Sequence, residues 1–411
     1  MSMLEHECAQ QALRRGWCPG AWRPMPSGDG WLLRIRVPLG RLSRVQSEGL
    51  AALMQTYGLG VIELTQRAHL QWRGVQPGQH AALLQGLRAL GLLDDDARQE
   101  ARRNVLVQPW WQPGDPTHTV ALQLLRRLRQ PDVPELPPKF GFAVDLGAQP
   151  CLRAASADVR LEALDDARVI VRPDGSLRGV AVSLEHAAEE AVALAAWFAS
   201  QTRDAAGPSR MAAWLAQRDV PARWQANPAP GLSVQPTPTE PALWWARSGA
   251  GMAWVAAPFG RLSTAAWARL ARLAPLRLTP WRAVLLEQHA VAPPDEEWIT
   301  DPLDARLRVA ACVGAPGCAQ ARGETLPIAQ ALAPYVPAGG WLHISGCSKG
   351  CAHPLPGPTV RVRRNGWDWI AHGRADAVAD AELRDPAQLV ELVQRAGASA
   401  VCQGGEEGPG V

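Results

Sequence analysis

Val37-Pro38-Leu39-Gly40-Arg41-Leu42-Ser43 stands near the start of this 411-residue chain, and Ala257-Pro258-Phe259-Gly260-Arg261-Leu262-Ser263 stands beyond its middle. The pair decides the fold, because the surroundings of the two copies repeat as well. Each copy follows an alternating apolar stretch, Trp31 to Val37 and Met252 to Ala257, which reads as a strand. Each precedes a helical pattern. The first runs from Leu42 to Tyr57 with Val45, Leu50, Leu53 and Met54 on one face. The second runs from Thr264 to Leu273 behind a Ser263 or Thr264 cap. Each unit then reaches a second strand ending in Leu-Thr: Leu64-Thr65-Gln66-Arg67-Ala68 and Leu278-Thr279-Pro280-Trp281-Arg282-Ala283. The two shared motifs keep their order at offsets of 220 and 214 residues. Strand–helix–strand units of this sort build small α+β sandwiches.

An α/β segment follows each unit. Arg103 to Phe198 has strand signals near Val105, Phe142 and Val169, then a helix from Leu184 to Phe198. Leu307 to Ala396 has them near Val309, Leu342 and Val360, then a helix from Pro386 to Arg395. Thr202 to Pro241 is rich in Pro and polar residues, carries one short helix, and reads as a linker. The expected class is α+β and duplicated, with units over 1–96, 97–201, 242–296 and 297–411 and the linker at 202–241.

Only the last unit carries cysteines with ligand spacing. They form two pairs, Cys312-x5-Cys318 and Cys347-x3-Cys351, in glycine-rich loops. Four thiolates from two loops can ligate an iron–sulfur cube. Glycines and Pro316 suit it, since cluster sulfides need close backbone approach and N–H donors. Structural zinc also takes four Cys, but usually with gaps of two to four residues. Two disulfides would suit a secreted chain, which nothing here suggests. Cys8, Cys18, Cys151 and Cys402 are scattered and read as buried or idle thiols.

Composition narrows the class. Apolar content of 47% and charged content of 20% are those of a globular protein of two to four domains. Met1 to Gln11 is polar with no apolar signal core, and Ala188 to Ala199 is too short and too acidic to span a bilayer. The expectation is a cytoplasmic protein without a membrane partner, where thiols stay reduced. A net charge of +3 does not argue for nucleic acid. Of 42 basic residues only Lys139 and Lys349 are lysines. Arginine and tryptophan abundance reads as composition drift, against which a retained ammonium points to a tight anion site or proton donor. Both lysines are therefore catalytic candidates, with two accidental survivors as the plain alternative.

These residues resemble a known family. The cysteine pattern, the Pro-x-Gly-Arg strand end, the Leu-Thr-x-Arg strand, Arg103-Asn104-Val105 and Leu136-Pro137-Pro138-Lys139-Phe140 are together similar to the sirohaem-type nitrite and sulfite reductases, in order, along nearly the whole chain. The resemblance implies two ferredoxin-like half-domains and two α/β domains of the iron–sulfur and haem type about a pseudo-twofold axis. It implies a tetrapyrrole between the halves, with Cys351 shared between a 4Fe-4S cluster and an axial position on a haem-type iron. The substrate face maps onto Arg34 or Arg36, Arg67, Arg103 and Lys139, with His69 beside them. Arg34 and Arg36 share one face of their strand by spacing.

Two departures redirect the expected activity. The reductases carry a second lysine where this chain has Gly141, which removes part of the cage for a small oxyanion. Between the last two cysteines they usually have Pro-Asn, whereas this chain has Ser348-Lys349 and continues Gly350-Cys351-Ala352-His353-Pro354. That string, with the compact length, resembles the precorrin-3B synthases, the aerobic cobalamin branch of the superfamily. The resemblance implies a monooxygenase that oxidises precorrin-3A with dioxygen, hydroxylating at the methine bridge between rings A and D and closing a γ-lactone from the ring A acetate. Precorrin-3A carries eight carboxylates, and bidentate carboxylate recognition is the task of arginine. No glycine-rich nucleotide fingerprint is visible, so NADH or NADPH would act through an electron-donor protein. A second iron would be a mononuclear non-haem site or sirohaem. Candidate non-haem ligands are His343, His353 and His69, with a hydrogen bond to a cluster sulfur as the plainer role for His353. Two other functions stay open: a sirohaem-dependent nitrite or sulfite reductase, and a cluster-bearing electron carrier without chemistry of its own.

Overall fold

The duplicated heptapeptide folds the same way twice. In this computed structural model, which describes residues 17–203, 208–230 and 251–402, each copy makes one 3-10 turn, Pro38–Gly40 and Pro258–Gly260. Proline fixes φ at the start of the turn. The next residue is driven into the left-handed region, Leu39 at φ 55° and Phe259 at φ 54°. Gly40 and Gly260 follow at φ +68° and +81°, where the missing Cβ removes the penalty. Their amides return to the carbonyls of Val37 at 3.1 Å and Ala257 at 2.8 Å. Ser43 and Ser263 close the motif as helix N-caps, accepting from the amides of Gln46 at 3.2 Å and Ala266 at 3.0 Å.

The strand that leaves each motif pairs in the opposite half. The first half supplies β1 (Met25–Ser27), β2 (Gly30–Ile35), β3 (Arg41–Leu42), β4 (Val61–Leu64) and β5 (Leu70–Val75). Its first α/β unit supplies β6 (Val105–Val107), β7 (Phe142–Asp145), β8 (Val159–Ala163), β9 (Arg168–Pro173) and β10 (Arg178–Ser183), with β11 (Asn227–Pro228) beyond. The second half opens with β12 (Met252–Ala256), β13 (Arg261–Ser263), β14 (Leu276–Leu278) and β15 (Ala283–Glu287). One sheet has the order β1-β2-β5-β4-β13 and the other β12-β15-β14-β3. Leu262 stands opposite Ile62 and Arg261 opposite Glu63, while Leu42 stands opposite Leu276 and Arg41 opposite Arg277. Under the two sequence offsets these are one pairing made twice, so the pseudo-twofold is written into the backbone hydrogen bonds.

The two capped helices, Arg44–Tyr57 and Thr264–Leu273, pack on each other across that axis, and Trp267 Nε1 donates to the carbonyl of Ser47 at 3.1 Å. The buried face of the first helix is Ser47, Leu50, Ala51 and Met54, a full i, i+3, i+4, i+7 stripe. Val45, expected on that face, is exposed. The small Ser47 is what admits the indole of Trp267.

The α/β units repeat as well. In the first, β6, β7 and β8 run parallel and β9 and β10 return antiparallel. The last unit adds β16 (Val309–Ala311), β17 (Leu342–Ser345), β18 (Thr359–Arg363), β19 (Gly366–Ile370) and β20 (Ala381–Leu383), again three parallel and two antiparallel. Each sheet packs its own apolar core against helices, Pro116–Leu128 with Ala187–Thr202 in one and Leu326–Leu332 with Pro386–Cys402 in the other. Part of the stretch read as a linker joins the first of these: β11 pairs with β10, and Trp214 and Trp224 are buried in that core. The tryptophans are the physical reason, since their apolar area favours docking over a free tether. Cys8 and the side chain of Cys402 lie outside the described residues. Among the described residues no helix is long and apolar enough to cross a membrane.

Candidate functional site

Parallel strands β16 and β17 end side by side, and the two cysteine loops leave from those ends. The first loop carries Cys312 and Cys318, the second Cys347 and Cys351. The Gly346 amide donates to Cys312 Sγ at 3.2 Å. The Lys349 amide also donates to Cys347. Burial pushes the Cys347 thiol up, and the Cys312 and Cys318 sulfurs push it further. Burial pushes the Cys351 thiol up to about 11, against the Lys349 charge, and the other three sulfurs add to it. The four thiols therefore share one electrostatic neighbourhood. Cys351 is exposed and yet densely surrounded, as a residue on a cleft wall would be. Gly314 at φ +66° and Gly350 at φ +63° let the backbone turn tightly under the sulfurs.

This donor set fits a four-iron cluster: four thiols from two loops, amides already aimed at two of them, and a lysine charge beside the anionic assembly. Among the described residues no three His, Cys, Asp or Glu side chains converge on a point suited to one metal ion. His343 and His353 lie 6.0 Å apart between ring centroids. His343 is fully buried beneath Gly350, and burial, with His353 and Arg282 nearby, pushes its pKa down to about 3. His353 packs on Trp341 at 4.0 Å, and burial with Arg282 lowers its pKa.

The loops are clamped to both half-domains. Arg73 donates to the Gly317 carbonyl at 2.9 Å and to Ser27 Oγ at 2.8 Å, and Ser27 Oγ donates to the same carbonyl at 2.7 Å. Gln66 Nε2 reaches the Ala352 carbonyl at 3.4 Å, and Arg282 Nη2 reaches it at 3.1 Å. Gln66 and Arg282 sit in the equivalent turns that follow the two Leu-Thr motifs. The loop bearing Cys351 is thus gripped by one residue from each half. Burial holds the Arg282 pKa down, while the charges of Glu63 and Cys312 favour its cation.

The first half gathers most of the cationic candidates. Arg34 and Arg36 stand on β2, Arg67 in the turn after β4, and His69 just before β5. The unpartnered buried nitrogens Arg34 Nε, Arg36 Nε, Arg36 Nη1 and His69 Nδ1 fall together here. Glu100 lies 3.8 Å from Arg36 Nη1 and is occupied by the amides of Ala21 at 2.6 Å and Trp22 at 3.1 Å. Burial lowers the Arg67 pKa to about 10, with Cys18 opposing and Arg210 and Arg34 adding to the fall. Arg67 donates to the Lys139 carbonyl at 2.9 Å, and exposed Lys139 adopts φ +75°. Arg103 gives its fork to Asp94, with three contacts of 2.8 to 3.0 Å. Lys349 and His353 lie on the cysteine side.

The place of the reductases' second lysine is filled. A Cβ at Gly141 would lie 2.5 Å from Asn104 Nδ2. Asn104 donates to the Phe140 carbonyl at 2.7 Å and meets His69 Nε2 at 3.1 Å. In the sequence Asn104 and Arg282 stand out only as parts of motifs, and Cys18 reads as a buried or idle thiol. Arg73 and Arg210 carry no spacing that marks them, because they meet their partners only once the chain has folded.

The comparisons agree with this architecture. Residues 23–90 match the family described as "Nitrite/Sulfite reductase ferredoxin-like half domain". A precorrin-3B synthase of Sinorhizobium sp is 28% identical over 408 residues, covering 90% of this chain and 85% of that protein. A ferredoxin–nitrite reductase of Synechococcus elongatus is 33% identical over 97 residues, covering 23% of this chain and 19% of the reductase. The NirA protein of Mycobacterium tuberculosis superposes with a TM-score of 0.61 at 17% identity, covering 89% of this chain and 80% of its own. The chain has the duplicated nitrite/sulfite-reductase-like architecture and resembles precorrin-3B synthase along most of its length.

Proposed function

We propose that this chain is a cytoplasmic monooxygenase of cobalamin biosynthesis that converts precorrin-3A to precorrin-3B. One oxygen atom of dioxygen enters the substrate at the bridge between rings A and D, and the ring A acetate closes the γ-lactone. The other oxygen atom leaves as water, with two electrons from NADH or NADPH delivered through a donor protein. Cys312, Cys318, Cys347 and Cys351 would hold a 4Fe-4S cluster, whose chemistry when bound would be one-electron transfer.

The observation that carries this reading is the occupied space at Gly141. A Cβ at Gly141 would lie 2.5 Å from Asn104 Nδ2, and glycine supplies no cation at this place. A cage for a small oxyanion loses one cation. What is left suits a larger, multiply anionic ligand. Arg34, Arg36 and Arg67 present donors without carboxylate partners of their own at hydrogen-bond distance. Arg34 Nε, Arg36 Nε and Arg36 Nη1 are the buried donors left for an acidic rim, while Arg67 already gives Nη1 to the Lys139 carbonyl and Nη2 to Ser156 Oγ. Lys139, exposed at the mouth, supplies a further cation. Lys349 sits between two cluster ligands, where its charge stabilises thiolates. His353 is partly buried against Trp341, and burial with the Arg282 charge favours its neutral form. The resemblance to precorrin-3B synthase along most of the chain supports the same substrate.

The first test is anaerobic purification followed by an absorption spectrum, iron and sulfide analysis, and incubation with precorrin-3A, dioxygen and a chemical reductant. A broad shoulder without sharp haem bands, about four to five irons with acid-labile sulfide, and a product heavier by one oxygen atom are expected. Intense sirohaem bands with reduction of nitrite or sulfite would overturn the reading. Zinc without sulfide would overturn the cluster as well.

A further inference from the structure

His69 carries a lone pair that the protein does not use, and its neighbours decide which nitrogen bears it. Asn104 Nδ2 donates to the Phe140 carbonyl at 2.7 Å, which orients the amide so that Oδ1 faces the imidazole. Oδ1 lies 3.1 Å from His69 Nε2 and can only accept, so Nε2 bears the hydrogen. In a neutral imidazole the other nitrogen is then bare. The ring is neutral, because burial and the charges of Arg36, Arg34 and Arg103 hold its pKa well below 6.5. Nδ1 is buried, has no hydrogen-bond partner, and belongs to a residue only 3% exposed. The backbone is pinned too: the His69 amide donates to Thr65 Oγ1 at 3.1 Å, and its carbonyl accepts from the Thr65 amide at 3.0 Å.

A buried acceptor left without a donor is destabilising and calls for an explanation. The groups around it sharpen the question. Arg34, Arg36, Arg67 and Lys139 offer donors to a ligand and no side-chain acceptor. Carboxylates and oxyanions satisfy those donors, yet they have nothing to give to Nδ1. A tetrapyrrole has both chemistries, with acids at its rim and N–H groups at its centre.

We propose that His69 Nδ1 accepts a ring N–H of the bound tetrapyrrole, and that Asn104 is the positioning residue that keeps that nitrogen bare. The proposal rests on the reading of this cleft as a tetrapyrrole site. It also gives the neutral ring a selective role: a fully anionic small molecule leaves Nδ1 unmatched, whereas a macrocycle does not.

The test uses the full chain with its cluster, labelled with nitrogen-15 histidine. His69 is assigned by the signal lost in His69→Phe. The free protein should show His69 with a hydrogen on Nε2 and a bare Nδ1. Adding precorrin-3A without oxygen should move the Nδ1 resonance toward that of a hydrogen-bonded acceptor. Asn104→Leu should lose the single tautomer and show a mixture. His69→Phe should bind precorrin-3A about tenfold more weakly, the worth of one hydrogen bond. A protonated Nδ1 in the free protein, an Nδ1 unmoved by bound precorrin-3A, or unweakened binding by His69→Phe would overturn the proposal while leaving the proposed function standing. Wild-type chain that fails to bind precorrin-3A would overturn the proposed function, and the role of His69 with it. Should His69→Phe not fold, the signal that Asn104→Leu turns into a tautomer mixture assigns His69, and the wild-type spectra with and without precorrin-3A decide the matter.

Discussion

Lys349 is half-buried inside the loop that joins Cys347 to Cys351, and its charge lowers the cost of ionising both thiols. A compact ammonium fits there, whereas a guanidinium is planar, wider and needs more partners. Lys349→Arg should therefore lose cluster content or turnover although the charge is kept. Iron and sulfide per chain, measured beside the rate, check this, and full retention of both would defeat the argument from lysine scarcity. At this scale the cysteine pattern was legible, because spacing along a loop is a property of sequence. Arg73 and Arg282 were not, though they hold the two cysteine loops by the carbonyls of Gly317 and Ala352. An arginine that donates to a distant carbonyl carries no mark in a chain where arginine is the default cation.

Strands β3 and β13 exchange between halves, and a cross-strand ion pair secures each exchange. In the second sheet, buried Glu287 accepts from Arg41 at 2.7 and 2.8 Å and from Arg277 at 2.6 Å. In the first, Glu63 accepts from Arg73 at 3.1 Å and lies 3.6 Å from Arg261. The offset of 214 residues places Glu63 on Arg277 and Arg73 on Glu287, so acid and base trade places between the halves. Glu287→Ala would leave Arg277, itself 4% exposed, without its carboxylate, keeping the carbonyls of Pro109 and Trp111 and the face of the Trp111 ring. Removing one partner of a buried pair costs about 3–5 kcal/mol, and a thermal or urea melt should show a loss of that order. Glu63→Ala should cost less, since Arg73 keeps Ser27, Asp29 and the Gly317 carbonyl. The helices could be read from their period and caps. The exchange could not, because a strand as short as Arg41–Leu42 shows no alternation of its own.

A duplicated fold offers each side chain two equivalent positions, and here one half places cations where the other places indoles. At the offset of 220 residues Trp254 stands where Arg34 does, and at 214 Trp281 stands where Arg67 does. With Trp110 they form a packed cluster, centroids 5.7 to 6.2 Å apart. On the other side of the same symmetry, Cys151 stands 200 residues before Cys351. Its amide and that of Leu152 donate to Asp145 at 2.6 and 2.7 Å. A buried carboxylate there gathers the amides of a loop that has no cluster to hold. The repeat itself was legible in the heptapeptide, but the asymmetry was hidden, because abundant tryptophan read as drift until three rings met in one place. With the proposed function, the indole cluster predicts one tetrapyrrole per chain. Trp254→Ala should then cost about 3–5 kcal/mol of stability, as large-to-small changes at buried aromatics do, and leave precorrin-3A affinity and the one-to-one stoichiometry unchanged. Denaturant titration and a binding titration on the same variant measure both. A second equivalent of precorrin-3A bound by Trp254→Ala would mean that the indoles only block a site still able to bind, whereas an unchanged stoichiometry with lowered stability would mean that the second half has been rebuilt as a core.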